Sequence, residues 1–158
     1  ASPHAKNGEF SITIPESLAL DIDYESFQAG DLKLQNISKE IVVAAKISDI
    51  EMKNITGPIV AHTLSGDITC HFSTLYQENP TSITSVSGDI DITLPAESKA
   101  DLSMKSISGE IYSNFEINVK KEEDMYHIGG QVIDAQINSG GVDFQIEAIS
   151  GNIYLRKK

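Results

Sequence analysis

The carboxylates that could do chemistry recur at one place in a repeated phrase. Asp67 in Ser65-Gly66-Asp67-Ile68, Asp89 in Ser87-Gly88-Asp89-Ile90 and Glu110 in Ser108-Gly109-Glu110-Ile111 hold the same position. Carboxylate oxygens suit Ca²⁺, so a stacked column of them is the weak candidate for a metal site. The plainer reading, solvated turn residues, is preferred, because the aspartate-rich nonapeptide GGxGxDxUx of calcium-binding β-rolls is absent. His4, His62, His71 and His127 show no metal spacing. His62 and His71 are nine apart and could stack on one face, but two histidines make an incomplete zinc site. The single cysteine, Cys70, alternates with Ile68 and Phe72, which marks a core residue rather than a nucleophile. With one cysteine no disulfide forms within the chain. No nucleophile–base pair, metal set or phosphate loop can be assembled, so no catalytic residue and no cofactor is expected. Tyr112 and Tyr154 each follow a turn-proximal Ile and should point outward, as binding residues for a glycan or protein or as simple cross-strand packing. Tyr76 and Tyr126 are further exposed aromatics. Asn36-Ile37-Ser38 and Asn54-Ile55-Thr56 match the glycosylation acceptor pattern, but follow from the repeat itself.

The elements that position these residues come from the same phrase. Ser150-Gly151-Asn152-Ile153, Thr56-Gly57-Pro58-Ile59 and a degenerate Ser38-Lys39-Glu40-Ile41 are its other copies. Around the copies, apolar residues keep offsets of three and then four: Leu34, Ile37, Ile41; Met52, Ile55, Ile59; Ala61, Leu64, Ile68; Ile83, Val86, Ile90; Met104, Ile107, Ile111; Ile146, Ile149, Ile153. That spacing also fits a helix face. Gly within nearly every unit, Ser or Thr before it and many β-branched residues argue for strands instead. Period-two alternation after each turn, as in Ile90, Ile92, Leu94, agrees. The expected unit is an inward residue, a bend, a second inward residue, a Ser-Gly turn and a strand.

Ile41, Ile50, Ile59 and Ile68 are nine apart, and Gly66, Gly88 and Gly109 are 22 and 21 apart. Such self-similarity predicts stacked units that cannot bury their apolar faces alone. The expected fold class is all-β, a parallel β-solenoid with N-terminal capping strands and coils of about 18 to 22 residues with neighbouring strands about 4.8 Å apart. A β-sandwich is the alternative. The solenoid should bury Ile41, Ile59, Ile68, Ile90, Ile111 and Ile153.

Composition and order bound the rest. The chain has 158 residues, with 12 basic and 23 acidic side chains and a net charge of −11. That charge argues against nucleic acid and anionic membrane surfaces. The longest apolar stretch, Ile41 to Ala45, is far too short to span a membrane. Residues 1–9 read as a frayed terminus, and 10–158 as one domain. In it, 10–31 supply capping strands (Phe10, Ile12, Ile14; then Leu18, Leu20, Ile22, Tyr24) and 32–158 the repeats. Loops are expected at 73–81, 95–98 and 120–124, with a hairpin or irregular coil between Gly129 and Gly141. Arg156-Lys157-Lys158 should blunt the terminal edge.

The serial Gly-Asp-Ile phrases, with Ser87 to Ala96, Ala100 to Ile117, and Gly129-Gly130 through Ile149 to Lys157, resemble the bacterial "putative adhesin" domain family, over roughly Leu32 to Lys158. Lys39, where the turn Gly is missing, and Ser48-Asp49, one residue short, depart from its pattern. The resemblance implies a β-solenoid-like fold, export and no catalytic residues. The start at Ala1-Ser2-Pro3, without Met, fits a removed signal peptide. The expected function is a non-enzymatic exported module, periplasmic or at the cell surface, binding a protein or glycan. A structural envelope scaffold and a carbohydrate-active β-helix enzyme are the alternatives, the enzyme disfavoured because it needs acids and bases clustered in a cleft.

Overall fold

The computed structural model describes residues 11–25, 30–119 and 130–158. The described elements are strands: β1 (Leu20–Tyr24), β2 (Gly30–Ile37), β3 (Ile41–Ile55), β4 (Ile59–Ser65), β5 (Ile68–Phe72), β6 (Thr81–Ser87), β7 (Ile90–Leu94), β8 (Ala100–Ser106), β9 (Ile111–Ser113), β10 (Asn118–Val119), β11 (Gln131–Ile137), β12 (Val142–Ser150) and β13 (Ile153–Lys157). Among the described residues no helix is long and apolar enough to cross a membrane.

The chain winds in coils, each crossing two sheets that share one core. Sheet A runs β1, the first half of β3, β4, β6, β12, β8 and β11; sheet B runs β2, the second half of β3, β5, β7, β13 and β9. Neighbouring coils pair in parallel, and among the described residues only β11, against β8, and β10, against β11, are antiparallel. The chain is thus all-β with a mixed, mostly parallel sheet. The antiparallel ladders of a sandwich are confined to that short margin.

Like residues stack in columns, as the repeat predicts. Ile41 lies beside Ile59, and Ile50, Ile68, Ile90, Ile153 and Ile111 follow one another in register. Ile41, Ile59, Ile68, Ile90 and Ile153 are fully buried. Ile111 is half-buried, because β9 is the last strand of its sheet. Phe72 and Phe144 meet edge to face across the core at 5.7 Å. Cys70 is buried, in register between Met52 and Ile92, and desolvation pushes its thiol far up from its ordinary range; it is core.

Two expectations need correction here. The middle member of the apolar triplets is not uniformly inward. Ile37 and Ile55 are buried, whereas Leu64, Ile107 and Ile149 are exposed and Val86 half-buried. Two kinds of corner share the three–four spacing. Ile37 and Ile55 sit where the chain passes from sheet B to sheet A. The other four sit on the approach from A to B, where alternation puts the preceding residue inward instead. Those inward positions are Thr63, Ser85, Ser106 and Ala148, all fully buried. The run Phe10, Ile12, Ile14 also does not form a described strand. Residues 11–15 carry no strand and Ile12 is 85% exposed. Pro15 ends the run before a turn in which the Leu18 amide donates to the Pro15 carbonyl at 3.2 Å. Phe10 lies outside the described residues, as do residues 1–9 and the charged stretch 120–124. β1 and β2 instead form a first coil in parallel register with β3.

The order of the coils is not the order of the chain. β12 lies between β6 and β8, and β13 between β7 and β9. The last coil in sequence is therefore next to last in space. β11 completes the margin by pairing with the far side of β8.

Candidate functional site

The corner from sheet A to sheet B builds the acidic column. At its centre stands a glycine with backbone packed against it. Gly88 has φ +145°, and a Cβ there would come 2.1 Å from the Gly66 carbonyl oxygen. Only Gly tolerates both the angle and the approach. Beside it, side chains tie each coil to the next. The Asp67 amide donates to Asp49 Oδ1 at 2.8 Å and the Asp89 amide to Asp67 Oδ1 at 2.8 Å. The Asn152 amide donates to Asp89 Oδ1 at 2.7 Å and the Glu110 amide to Asn152 Oδ1 at 3.0 Å. The ladder ends where Gln131 Oε1 accepts the Ile111 amide at 2.8 Å.

Inside the corner a second ladder, invisible as such in the sequence, uses hydroxyls. Ser85 Oγ donates to the Gly66 carbonyl at 3.2 Å and Ser106 Oγ to the Gly151 carbonyl at 2.9 Å. Buried hydroxyls need such partners, which is why Thr and Ser occupy inward positions. Their alternation with apolar core residues was the available signal.

Asp67, Asp89 and Glu110 thus share a column, as the phrase predicts, but Asn152 stands between Asp89 and Glu110, and Asp49 and Asp31 extend the other end. The carboxylates of Asp49, Asp67 and Asp89 accept backbone amides of the next coil, whereas that of Glu110 accepts the Tyr112 hydroxyl. Among the described residues no group of three or more His, Cys, Asp and Glu is arranged to hold a metal ion. His62 and His71 do not stack together: His62 lies on β4 in sheet A and His71 on β5 in sheet B. Nine residues is half a coil, so that spacing changes sheets. His4 and His127 lie outside the described residues. At the opposite corner Asn36 and Asn54 adopt left-handed backbone, with φ of 58° and 54°. Asn54 Nδ2 donates to Asn36 Oδ1 at 2.7 Å, and Ser73 Oγ donates to Asn54 Oδ1. These asparagines are corner residues.

The outer face of sheet B carries the other candidates. Tyr154 and Tyr112 are in register on β13 and β9. Their rings stack, with centroids 5.2 Å apart and planes 10° from parallel. Arg156, two residues along β13, lies 5.3 Å from the Tyr154 ring centre and donates through Nε to both oxygens of Asp91, at 2.8 and 2.9 Å. That pairing with Asp91 holds the guanidinium charged. Tyr112 donates its hydroxyl to Glu110, which pushes its pKa up, and Asn152 Nδ2 donates to the Tyr154 hydroxyl at 3.4 Å. Tyr112 remains 48% exposed on the outermost strand of the sheet. The rings pack across the two strands and present an aromatic surface beside Arg156. Tyr76, on the 73–81 loop, stands apart and donates to Glu78; Tyr126 lies outside the described residues.

Parallel coils tied by corner ladders, with an aromatic pair on one outer face, define a repeat-built β-domain. The chain belongs to the Toastrack DUF4097 family, whose model matches residues 26–156. A solved structure described as "a putative cell adhesion protein from Clostridium sporogenes" is similar over 77% of this chain, at 15% identity and a TM-score of 0.54. The matched part is 57% of that protein's length. At that identity the likeness shows the fold. Among curated proteins none matches.

Proposed function

We propose that this chain is a non-enzymatic, exported cell-envelope module with a solenoid-like fold, which binds a glycan or protein partner in an adhesin-like role. The observation that carries the reading is the Tyr112–Tyr154 stack beside Arg156 on sheet B. Aromatic rings offer apolar area at small entropic cost, and sugar C–H faces and apolar side chains pack on them. The rings are held by each other, by Glu110 and by Asn152, so binding does not have to order them. The acidic surface favours a neutral or basic partner over nucleic acid. The name of the Clostridium sporogenes relative supports the adhesin-like role. Asp67, Asp89 and Glu110 belong to the framework in this reading, and the domain uses no cofactor.

The test is a glycan array joined to a polysaccharide-cleavage screen, run with wild type and Tyr112→Ala. Wild type should bind a defined subset of glycans without shortening any. Tyr112→Ala should weaken that binding about tenfold, in the range of a lost stacking contact, while melting within a few degrees of wild type. Turnover of a polysaccharide, or binding unchanged in Tyr112→Ala, overturns the proposal.

A further inference from the structure

From the seating of the last coil, we infer that Val142–Lys157 is exchangeable between copies of this chain. One copy's β12–β13 occupies the slot between β6–β7 and β8–β9 of a second copy, which returns its own in a reciprocal dimer. The partner is a second copy of this chain, independently of what the tyrosine face binds.

The slot supplies the coil's hydrogen bonds from outside the coil. β12 pairs with β6 on one side and β8 on the other, and β13 with β7 and β9. At the corner, the Gly88 amide donates to the Ser150 carbonyl at 3.1 Å, and Ser106 Oγ to the Gly151 carbonyl at 2.9 Å. Any copy that presents the same coil can make the same contacts. The corner ladder joins the coil to both walls as well. Asn152 sits between Asp89 and Glu110, its amide donating to Asp89 Oδ1 and its Oδ1 accepting the Glu110 amide. A second copy brings an identical coil and makes the same two rungs.

The order of synthesis favours exchange. β8–β9 precede the coil that separates them from β6–β7. Ile83 and Met104 both face Ile146, and Ile90 and Ile111 both face Ile153. The two walls therefore hold equivalent registers and must part, or stay apart, to admit a coil. That coil can come from either chain.

The hinge is short and conformationally unfavourable. Asn138, Ser139 and Gly140 are consecutive and left-handed, with φ of 48°, 72° and 81°. They carry the chain from β11, on one side of β8, across to β12 on the other. A non-glycine residue is disfavoured there, Ser139 most clearly. Opening the turn into an extended segment releases that strain, and tight strained hinges promote exchange of this kind.

The experiment refolds the full chain at about 1 µM and about 1 mM and measures mass by light scattering after size exclusion. Ser103 and Gln145 face each other across β8 and β12 and are exposed, within the spacing a disulfide bridges. Ser103→Cys and Gln145→Cys chains are refolded together at high concentration and oxidised. The expected result is a dimer at the high concentration, with a disulfide joining the two different chains. Ser139→Gly, which relieves the closed turn without altering the slot, should raise the dimer's dissociation constant about tenfold or more. Monomer alone at both concentrations overturns the inference. So does a dimer lacking the Ser103→Cys to Gln145→Cys cross-link between chains, or one unaffected by Ser139→Gly.

Discussion

Gly88→Val should lose about 3–5 kcal/mol of stability, among the largest effects a single substitution produces. Two penalties combine. The backbone there has φ +145°, where a β-branched residue is strained, and the new Cβ would lie 2.1 Å from the Gly66 carbonyl oxygen. The neighbour cannot yield easily, because Gly66 is itself fixed: its carbonyl accepts from Ser85 Oγ and its amide donates to the Ser87 carbonyl. On the far side the coil of Gly151 packs against Gly88 just as closely, with its own Cβ direction 2.1 Å from the Gly88 oxygen. A shift of residue 88 would therefore be passed along the column. Urea unfolding followed by circular dichroism measures it. A midpoint equal to wild type would mean that the corner is looser than the columns require.

Asp89→Ala should cost about 1–3 kcal/mol, whereas Asp89→Asn should stay within about 0.5 kcal/mol of wild type. The two variants separate charge from hydrogen bonding. Asp89 accepts the Asn152 amide, and Asn152 in turn accepts the Glu110 amide. An amide oxygen already performs this task at 152, so Asn should perform it at 89. Alanine leaves the Asn152 amide without its partner on the seam between two coils. Equal losses in the two variants would show that the negative charge matters, and would reopen the column as a cation site. The same unfolding measurement decides it.

The strands and their inward faces were legible because alternation survives every turn, as in Ile90, Ile92 and Leu94, all fully buried. The corners were legible too, since Ser-Gly-Asp names a turn that few other residues can make. What blurred was anything depending on which corner a residue occupies. Leu64 and Ile55 look alike in sequence, yet Leu64 is exposed and Ile55 buried, because an offset of three spans a different bend at each. His62 and His71 were misplaced for a related reason: half a coil separates them.

The order of the coils was the deeper loss. Every phrase carries nearly the same turn and the same inward isoleucine, so several coils satisfy one slot about equally in local terms. The choice lies in long-range packing, such as that of β11 along the far side of β8. Alternation showed that Tyr112 and Tyr154 point outward. Their stacking required the last coil to lie beside β9, and no spacing in the chain states that. The candidate binding face is a product of this insertion, since it also brings Arg156 to Asp91.

The insertion can be read directly from paired cysteines. Gln145 lies opposite Ser82 on one side and Ser103 on the other, which leaves Ser82 and Ser103 two strands apart. Adjacent strands are about 4.8 Å apart and alternate strands about twice that, beyond the reach of an unstrained disulfide. In chains refolded at low concentration and oxidised, Ser82→Cys/Gln145→Cys should close an internal disulfide, while Ser82→Cys/Ser103→Cys should remain reduced. A disulfide between 82 and 103, with none between 82 and 145, would place β8 directly on β6 and contradict the seating of the last coil and the tyrosine face built on it.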